Sequence, residues 1–135
     1  LHRDLVALRK LGFAVGLVLN PATTLENIEY VIDEVDMVTI MTVNPGYVGQ
    51  KLVPQTLTKI ERLDAWRRKD ARTLKIAVDG NVSFANIPKM IEAGADVLVV
   101  GTSGLFVRGQ SLQQSYNQLT SAIDSGLALR KAHAS

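Results

Sequence analysis

The sequence predicts an α/β fold built on a parallel sheet, and three observations carry that prediction. Short, nearly continuous apolar runs recur along the chain, each followed by a longer segment with helical apolar spacing. The runs lack the strict alternation of a half-exposed strand and instead have the pattern of strands covered on both faces. Turn-forming residues follow them, Asn20-Pro21 after the first and Gly46, Gly49, Gly80 and Gly101 after the others, where strands hand over to helices.

Leu5, Leu8 and Leu11 fall at helical spacing among Arg3, Asp4, Arg9 and Lys10, and Gly12 follows as a stop, so the chain opens on a helix. Ala14 to Leu19 is the first strand, ended by Asn20-Pro21. Thr23 and Glu26 have the spacing of a capping box for a helix carrying Leu25, Ile28, Ile32 and Val35. The pattern then repeats. Met37 to Val43 is a strand, Asn44 to Lys51 a loop, and Pro54 to Lys69 a helix; Leu74 to Val78 is a strand, and Ser83 to Ala93 a helix with Ile87, Met90 and Ile91 on one face. Val97 to Val100 is the last strand and Leu112 to Leu129 a long final helix, after which Arg130 to Ser135 is expected to fray.

Such alternation implies βαβ units with right-handed crossovers and leaves two architectures open, a doubly wound open sheet and a (β/α)8 barrel. Four strands are too few to close a standard barrel, which takes about 250 residues. Nothing between the elements reads as a linker, so residues 1–135 form a single unit. The chain starts at Leu1 rather than Met and opens as if within a fold, so it is expected to be a piece of a larger one.

Composition narrows the class. With 47% hydrophobic and 21% charged residues the chain can bury a core. The net charge of +2 is dispersed. Its densest basic run, Arg67-Arg68-Lys69, precedes Asp70 at a helix end, which favours a solvated C-terminus over a nucleic-acid site. The absence of cysteine excludes disulfides and thiolate metal sites and fits a cytoplasmic setting. No apolar run reaches the roughly 18 residues of a membrane span, so neither a membrane nor a nucleic acid is an expected partner.

In both architectures ligands meet the segments that follow the C-terminal ends of strands. After the second strand, Gly46-Tyr47-Val48-Gly49 lets the backbone approach a ligand and turn N–H groups towards it, as anion sites require; a plain strand-to-helix turn explains the same glycines. Asp79, before Gly80-Asn81, ends the third strand, where a carboxylate needs a partner, a proton or a metal; a turn or helix-cap role is the alternative. Gly101-Thr102-Ser103 ends the fourth strand with amides and hydroxyls fit for an anion, or again a turn. Together the three segments match the phosphate site that many (β/α)8 enzymes build near their last strands.

These residues also carry a family likeness. Met41 to Gln50 resembles the hallmark loop of the ribulose-phosphate 3-epimerase family, Val78-Asp79-Gly80 its strand-seven motif, and Gly94-Ala95-Asp96 through Gly101 its strand-eight segment. The likeness covers essentially the whole chain. Leu19 to Thr23, Leu63 to Arg67 and Val100 to Phe106 are most similar to the D-allulose-6-phosphate 3-epimerase branch, with the ribulose 5-phosphate enzymes second.

The resemblance implies a TIM barrel, of which residues 1–135 are the C-terminal half: four parallel βα units preceded by a helix. It implies a 3-epimerase that inverts C3 of a ketose phosphate through an enediolate, converting D-allulose 6-phosphate to D-fructose 6-phosphate, with D-ribulose 5-phosphate as the alternative substrate. Asp79 matches one of two aspartates that act as acid and base on opposite faces of the sugar. Two histidines and both aspartates of the family hold one divalent metal, a nitrogen and oxygen set suited to Zn, Fe, Mn or Co, so Asp79 is expected to be a ligand too. Met41 is expected as a soft wall beside the enediolate, or as ordinary core. Gly46, Tyr47, Val48, Gly49, Gly80, Asn81, Gly101, Thr102 and Ser103 are expected around the phosphate.

Two departures bear on substrate: Asn81 stands where the family commonly has glycine, and Val48 where it is often small. No residue can stand for the partner aspartate or the metal histidines, since His2 lies on the opening helix and His133 in the tail. The other ligands are therefore expected in the missing half. Open strand edges and an uncovered sheet face should drive homo-oligomers or pairing with that half, and the chain alone is expected to be inactive. Two further readings are a phosphate-binding module without catalysis and a half-barrel that assembles with itself.

Overall fold

The computed structural model describes residues 1–134. Helix α1 (His2–Lys10) leads into strand β1 (Gly16–Leu19), two 3-10 turns (Leu25–Ile28 and Ile32–Glu34), β2 (Met37–Met41), α2 (Gln55–Lys69), β3 (Lys75–Asp79), α3 (Ile87–Ala93), β4 (Val97–Val99) and α4 (Leu112–Ala134). The strands form one parallel sheet in the order β1-β2-β3-β4. That order is consistent with the second of the two architectures. A doubly wound sheet reverses its strand order at a switch point, whereas consecutive neighbours throughout mean that the sheet is wound one way, as in a barrel wall.

One-way winding puts the helices on one face. Val38, Ile40, Ile76 and Val78 point to that face and are fully buried with Ile60 and Leu63 of α2 and Ile87 and Met90 of α3. The opposite face carries Val18, Met37, Val97 and Val99, and Val18 and Val99 are 65% and 45% exposed. The expectation of strands covered on both faces is therefore met on one face only. On the second face Val18, Met37, Val97 and Val99 remain exposed among the described residues.

Several boundaries differ from the sequence reading, each for a local reason. The helix expected after Thr23 is two separate 3-10 turns capped by Thr24 and Val31, and no side-chain capping bond forms. Asn27 Nδ2 donates instead to the Thr24 hydroxyl at 3.2 Å and competes with a regular first turn. Helix α3 starts at Ile87 because the Ser83 hydroxyl and carbonyl accept the Asn86 N–H at 3.3 and 3.0 Å, holding Ser83 to Asn86 as a turn. At the other end α4 continues through Ala134, since Arg130 donates to the Ala95 carbonyl at 3.0 Å and His133 meets Glu92 at 2.7 Å; Ser135 lies outside the described residues. No helix is long and apolar enough to cross a membrane among the described residues.

The largest correction concerns Arg67, read as part of a solvated helix end. Its side chain is only 11% exposed and reaches across the N-terminal ends of the strands. It donates to Asp64, to Asp96, to the Leu74 carbonyl at 2.9 Å and to the Gly94 carbonyl at 3.2 Å. Asp96, with a side chain 19% exposed, also accepts the Ile76 N–H at 2.9 Å and Arg130 at 3.2 Å. Burial pushes the Asp96 carboxyl up, but the Ile76 amide and the Arg67 and Arg130 guanidinium groups outweigh it and hold the carboxyl below its ordinary range.

A depressed folded pKa means stability that is present above the unfolded carboxyl value of about 3.9 and is lost as pH falls through the lower folded value. Arg67→Ala removes the cation shared by two carboxylates at a largely buried site, leaving Asp64 with Arg68 and Asp96 with Arg130. It is expected to lower the unfolding free energy by on the order of 3 kcal/mol in urea titrations at neutral pH, with the gap to the parent narrowing in acid. A gap that is equally large once the carboxyls are protonated would remove the ion pairs as its cause.

Candidate functional site

Register brings the chemistry to one end of the sheet. Met41, Asp79 and Val99 are Cα partners across β2, β3 and β4 and so share the face turned away from the helices. Beyond them the three following loops form a cleft of about 210 Å³. Of the residues expected around a phosphate, Tyr47, Val48, Gly49, Asp79, Gly80, Asn81, Gly101, Thr102 and Ser103 line it. Gly46 does not, and Met41 neighbours Asp79 on the ladder without forming part of the wall.

Each loop has a physical reason for its shape. Gly80 has φ +124, and a Cβ there would lie 2.6 Å from Val43 Cγ2 and 2.9 Å from the Val43 nitrogen, so only glycine fits. Asn81 takes φ +46, the left-handed conformation asparagine tolerates, and thereby keeps the turn. Its carbonyl accepts the Ser83 N–H at 2.8 Å and Asn86 Nδ2 at 3.0 Å. In the first loop Gln50 Nε2 donates to the carbonyls of Asn44 at 2.5 Å and Tyr47 at 3.3 Å, which ties the glycine segment into a closed turn. In the last, the Gly101 carbonyl takes the N–H groups of Leu105 and Phe106, both at 2.9 Å, and curls the chain back on itself.

The result is a cluster of donors without acceptors. Among the described residues the N–H groups of Asn81, Thr102 and Ser103 meet no protein acceptor. Free amides beside serine and threonine hydroxyls are the donors that an anion takes. Asp79 is half-buried at the same cleft, and among the described residues its carboxylate has no hydrogen bond or ion pair. An unpartnered carboxylate at this position is free to take a proton from a ligand or to bind a cation.

A resident divalent metal does not fit the residues at hand. Asp79 is the only acidic residue lining the cleft, and among the described residues no three His, Cys, Asp or Glu side chains come together. Zinc and similar transition metals take three or more protein ligands, so one carboxylate does not make such a site. His133 pairs with Glu92 on the surface and His2 is exposed on α1, away from the strand ends. Sequence reasoning passed over Gln50, Asn86 and the buried Thr42. The signal for Thr42 was present as a hydroxyl in an otherwise apolar strand end.

Gly80 and Gly101 make a matched test of this geometry. Gly80→Ala adds both a left-handed strain and a clash with backbone, and is expected to cost roughly 3 kcal/mol or more of stability. At Gly101 a Cβ meets nothing within 4 Å, so Gly101→Ala is expected to leave stability within about 0.5 kcal/mol. Chemical denaturation of the two variants reads the difference directly.

Comparison with known proteins agrees with the arrangement. The model of the Ribulose-phosphate 3 epimerase family matches residues 1–106. The chain is 43% identical over 112 residues to ribulose-phosphate 3-epimerase of Bacillus subtilis (strain 168), covering 82% of this chain and 50% of that protein. It is 46% identical over 103 residues to the chloroplastic ribulose-5-phosphate-3-epimerase of Arabidopsis thaliana, covering 76% and 37%, and 41% identical over 124 residues to the Rhodobacter capsulatus enzyme, covering 91% and 53%. The chain thus spans about half or less of the length of these relatives. With its one-way parallel sheet and with the family match over most of its length, the chain belongs to the ribulose-phosphate 3-epimerase family.

Proposed function

We propose that this chain contributes the phosphate-holding part and one acid/base carboxylate of a sugar-phosphate 3-epimerase acting on D-ribulose 5-phosphate. The observation that carries the reading is the unpartnered carboxylate of Asp79 at the rim of the same cleft as the free amides of Asn81, Thr102 and Ser103. The amides hold the phosphate, and the sugar chain extends past Asp79. The relatives are named for ribulose phosphate, which favours the five-carbon substrate over the D-allulose 6-phosphate that the sequence stretches suggested.

The chemistry follows from the position of the proton. The hydrogen on C3 of a 2-ketose is acidic because its loss leaves charge delocalised onto the C2 oxygen, and that charge needs stabilisation as it forms. Asp79 takes the proton from one face. Inversion requires that a proton return from the opposite face, which a single carboxylate cannot reach. The second acid, and the remaining ligands of any metal, therefore come from further βα units outside residues 1–135. Those units complete the barrel by pairing with the free edges of β1 and β4 and covering Val18, Met37, Val97 and Val99.

Asp79→Asn keeps the shape of the side chain and removes its basicity. In the protein that contains this chain, solvent deuterium exchange at C3 of D-ribulose 5-phosphate is expected to fall by about 10²–10⁴. If binding and exchange both survive that change, Asp79 is a turn residue and another group takes the proton; binding without exchange in the parent itself would make the cleft a phosphate-binding module without catalysis. The 135-residue chain alone is expected to show no epimerisation, and co-expression with the N-terminal half of the Bacillus subtilis relative to restore it; turnover by the isolated chain would refute the need for a second carboxylate.

A further inference from the structure

We infer that Thr42 is a positioning residue that aims the amides of Gly80 and Asn81 into the cleft. The inference rests on the reading of that cleft as a phosphate site. Thr42 follows β2 and is fully buried, on the helix side of the sheet, so it touches no ligand itself. Its N–H donates to the Asp79 carbonyl at 2.9 Å, and its hydroxyl proton is shared between the Asp79 carbonyl at 3.1 Å and the Gly80 carbonyl.

The planarity of the peptide turns these bonds into a device for orientation. In a trans peptide the C=O and the following N–H point in opposite directions. Holding the Gly80 carbonyl against Thr42 therefore directs the Asn81 N–H away from β2, and holding the Asp79 carbonyl does the same for the Gly80 N–H. Both residues line the cleft. The far side of the turn is fixed by Ser83 and Asn86, which hold the Asn81 carbonyl. Among the described residues no group other than Thr42 donates to the Gly80 carbonyl, so the direction of the Asn81 amide depends on this one hydroxyl.

A hydroxyl is needed for this and an isostere will not serve. Valine fills the same volume, but it leaves the Gly80 carbonyl buried without a donor and lets the Gly80-Asn81 peptide rotate. Serine retains the donor. The role differs from general support of the fold because its effect should fall on the phosphate and not on the rest of the ligand.

The test titrates inorganic phosphate into the full chain as wild type, Thr42→Val and Thr42→Ser, alongside thermal melting and the 15N shifts of the Gly80 and Asn81 amides. Thr42→Val is expected to weaken phosphate binding by about tenfold and to abolish the phosphate response of both amides, while Thr42→Ser stays within about threefold of wild type and keeps it. A lower melting temperature with unchanged phosphate affinity in the folded Thr42→Val protein would mark a structural role only and overturn the inference, as would identical binding by all three. Absence of phosphate binding by the wild type would overturn the phosphate-site reading itself, and this inference with it.

Discussion

The approach of the end of β3 to the residues following β2 is the contact on which the site depends. Gly80 lies so close to Thr42 and Val43 that no side chain fits between them, and the Asp79 and Gly80 carbonyls are bonded to Thr42 across the gap. Two consequences follow from that one contact. The chain must turn through positive φ at Gly80 and again at Asn81, which sends the loop over the strand ends and not outward. The carboxylate of Asp79, one residue earlier, is left on the free face of a rigid strand, and a group placed on a strand is held more firmly than one on a loop.

Opposite ends of the same strands carry opposite kinds of polar structure. At the N-terminal ends Arg67, Asp64, Asp96 and Arg130 satisfy one another and the backbone, and neutralise charge within a compact network. At the C-terminal ends the polar groups have no protein partner among the described residues: amides without acceptors and a carboxylate without an ion pair. These groups are open to water, so they cost the fold little and remain available to a ligand.

The fold could be read in the sequence wherever periodicity carries the information. The strands were evident as short, nearly continuous apolar runs bounded by turn residues, and the three long helices from apolar residues at helical spacing. The two 3-10 turns were not, since Leu25, Ile28 and Ile32 fit a helical spacing even when Asn27 breaks the first turn by bonding Thr24. Arg67 looked like a surface charge because its partner Asp96 lies 29 residues away and local sequence holds no trace of it. The loops of the site were legible through their glycines. The residues that shape those loops, Thr42, Gln50 and Asn86, are ordinary types whose role is set by a carbonyl that the fold brings near.

The uncovered face of the sheet joins the architecture to the chemistry. Asp79 projects from the face that bears Val18, Met37, Val97 and Val99, apolar residues that water solvates poorly. On the proposed reading, a sugar lying over that face would meet the carboxylate from one side only, while its phosphate would be held at the strand ends by loops belonging entirely to these βα units. On that reading anion binding would be a local property of the chain. Inversion at carbon would not, because it demands groups on both sides of the sugar, and the side opposite Asp79 is the one that closure of a barrel would supply. The same closure that buries the apolar face would therefore exclude water from the forming enediolate and strengthen each electrostatic contact to it.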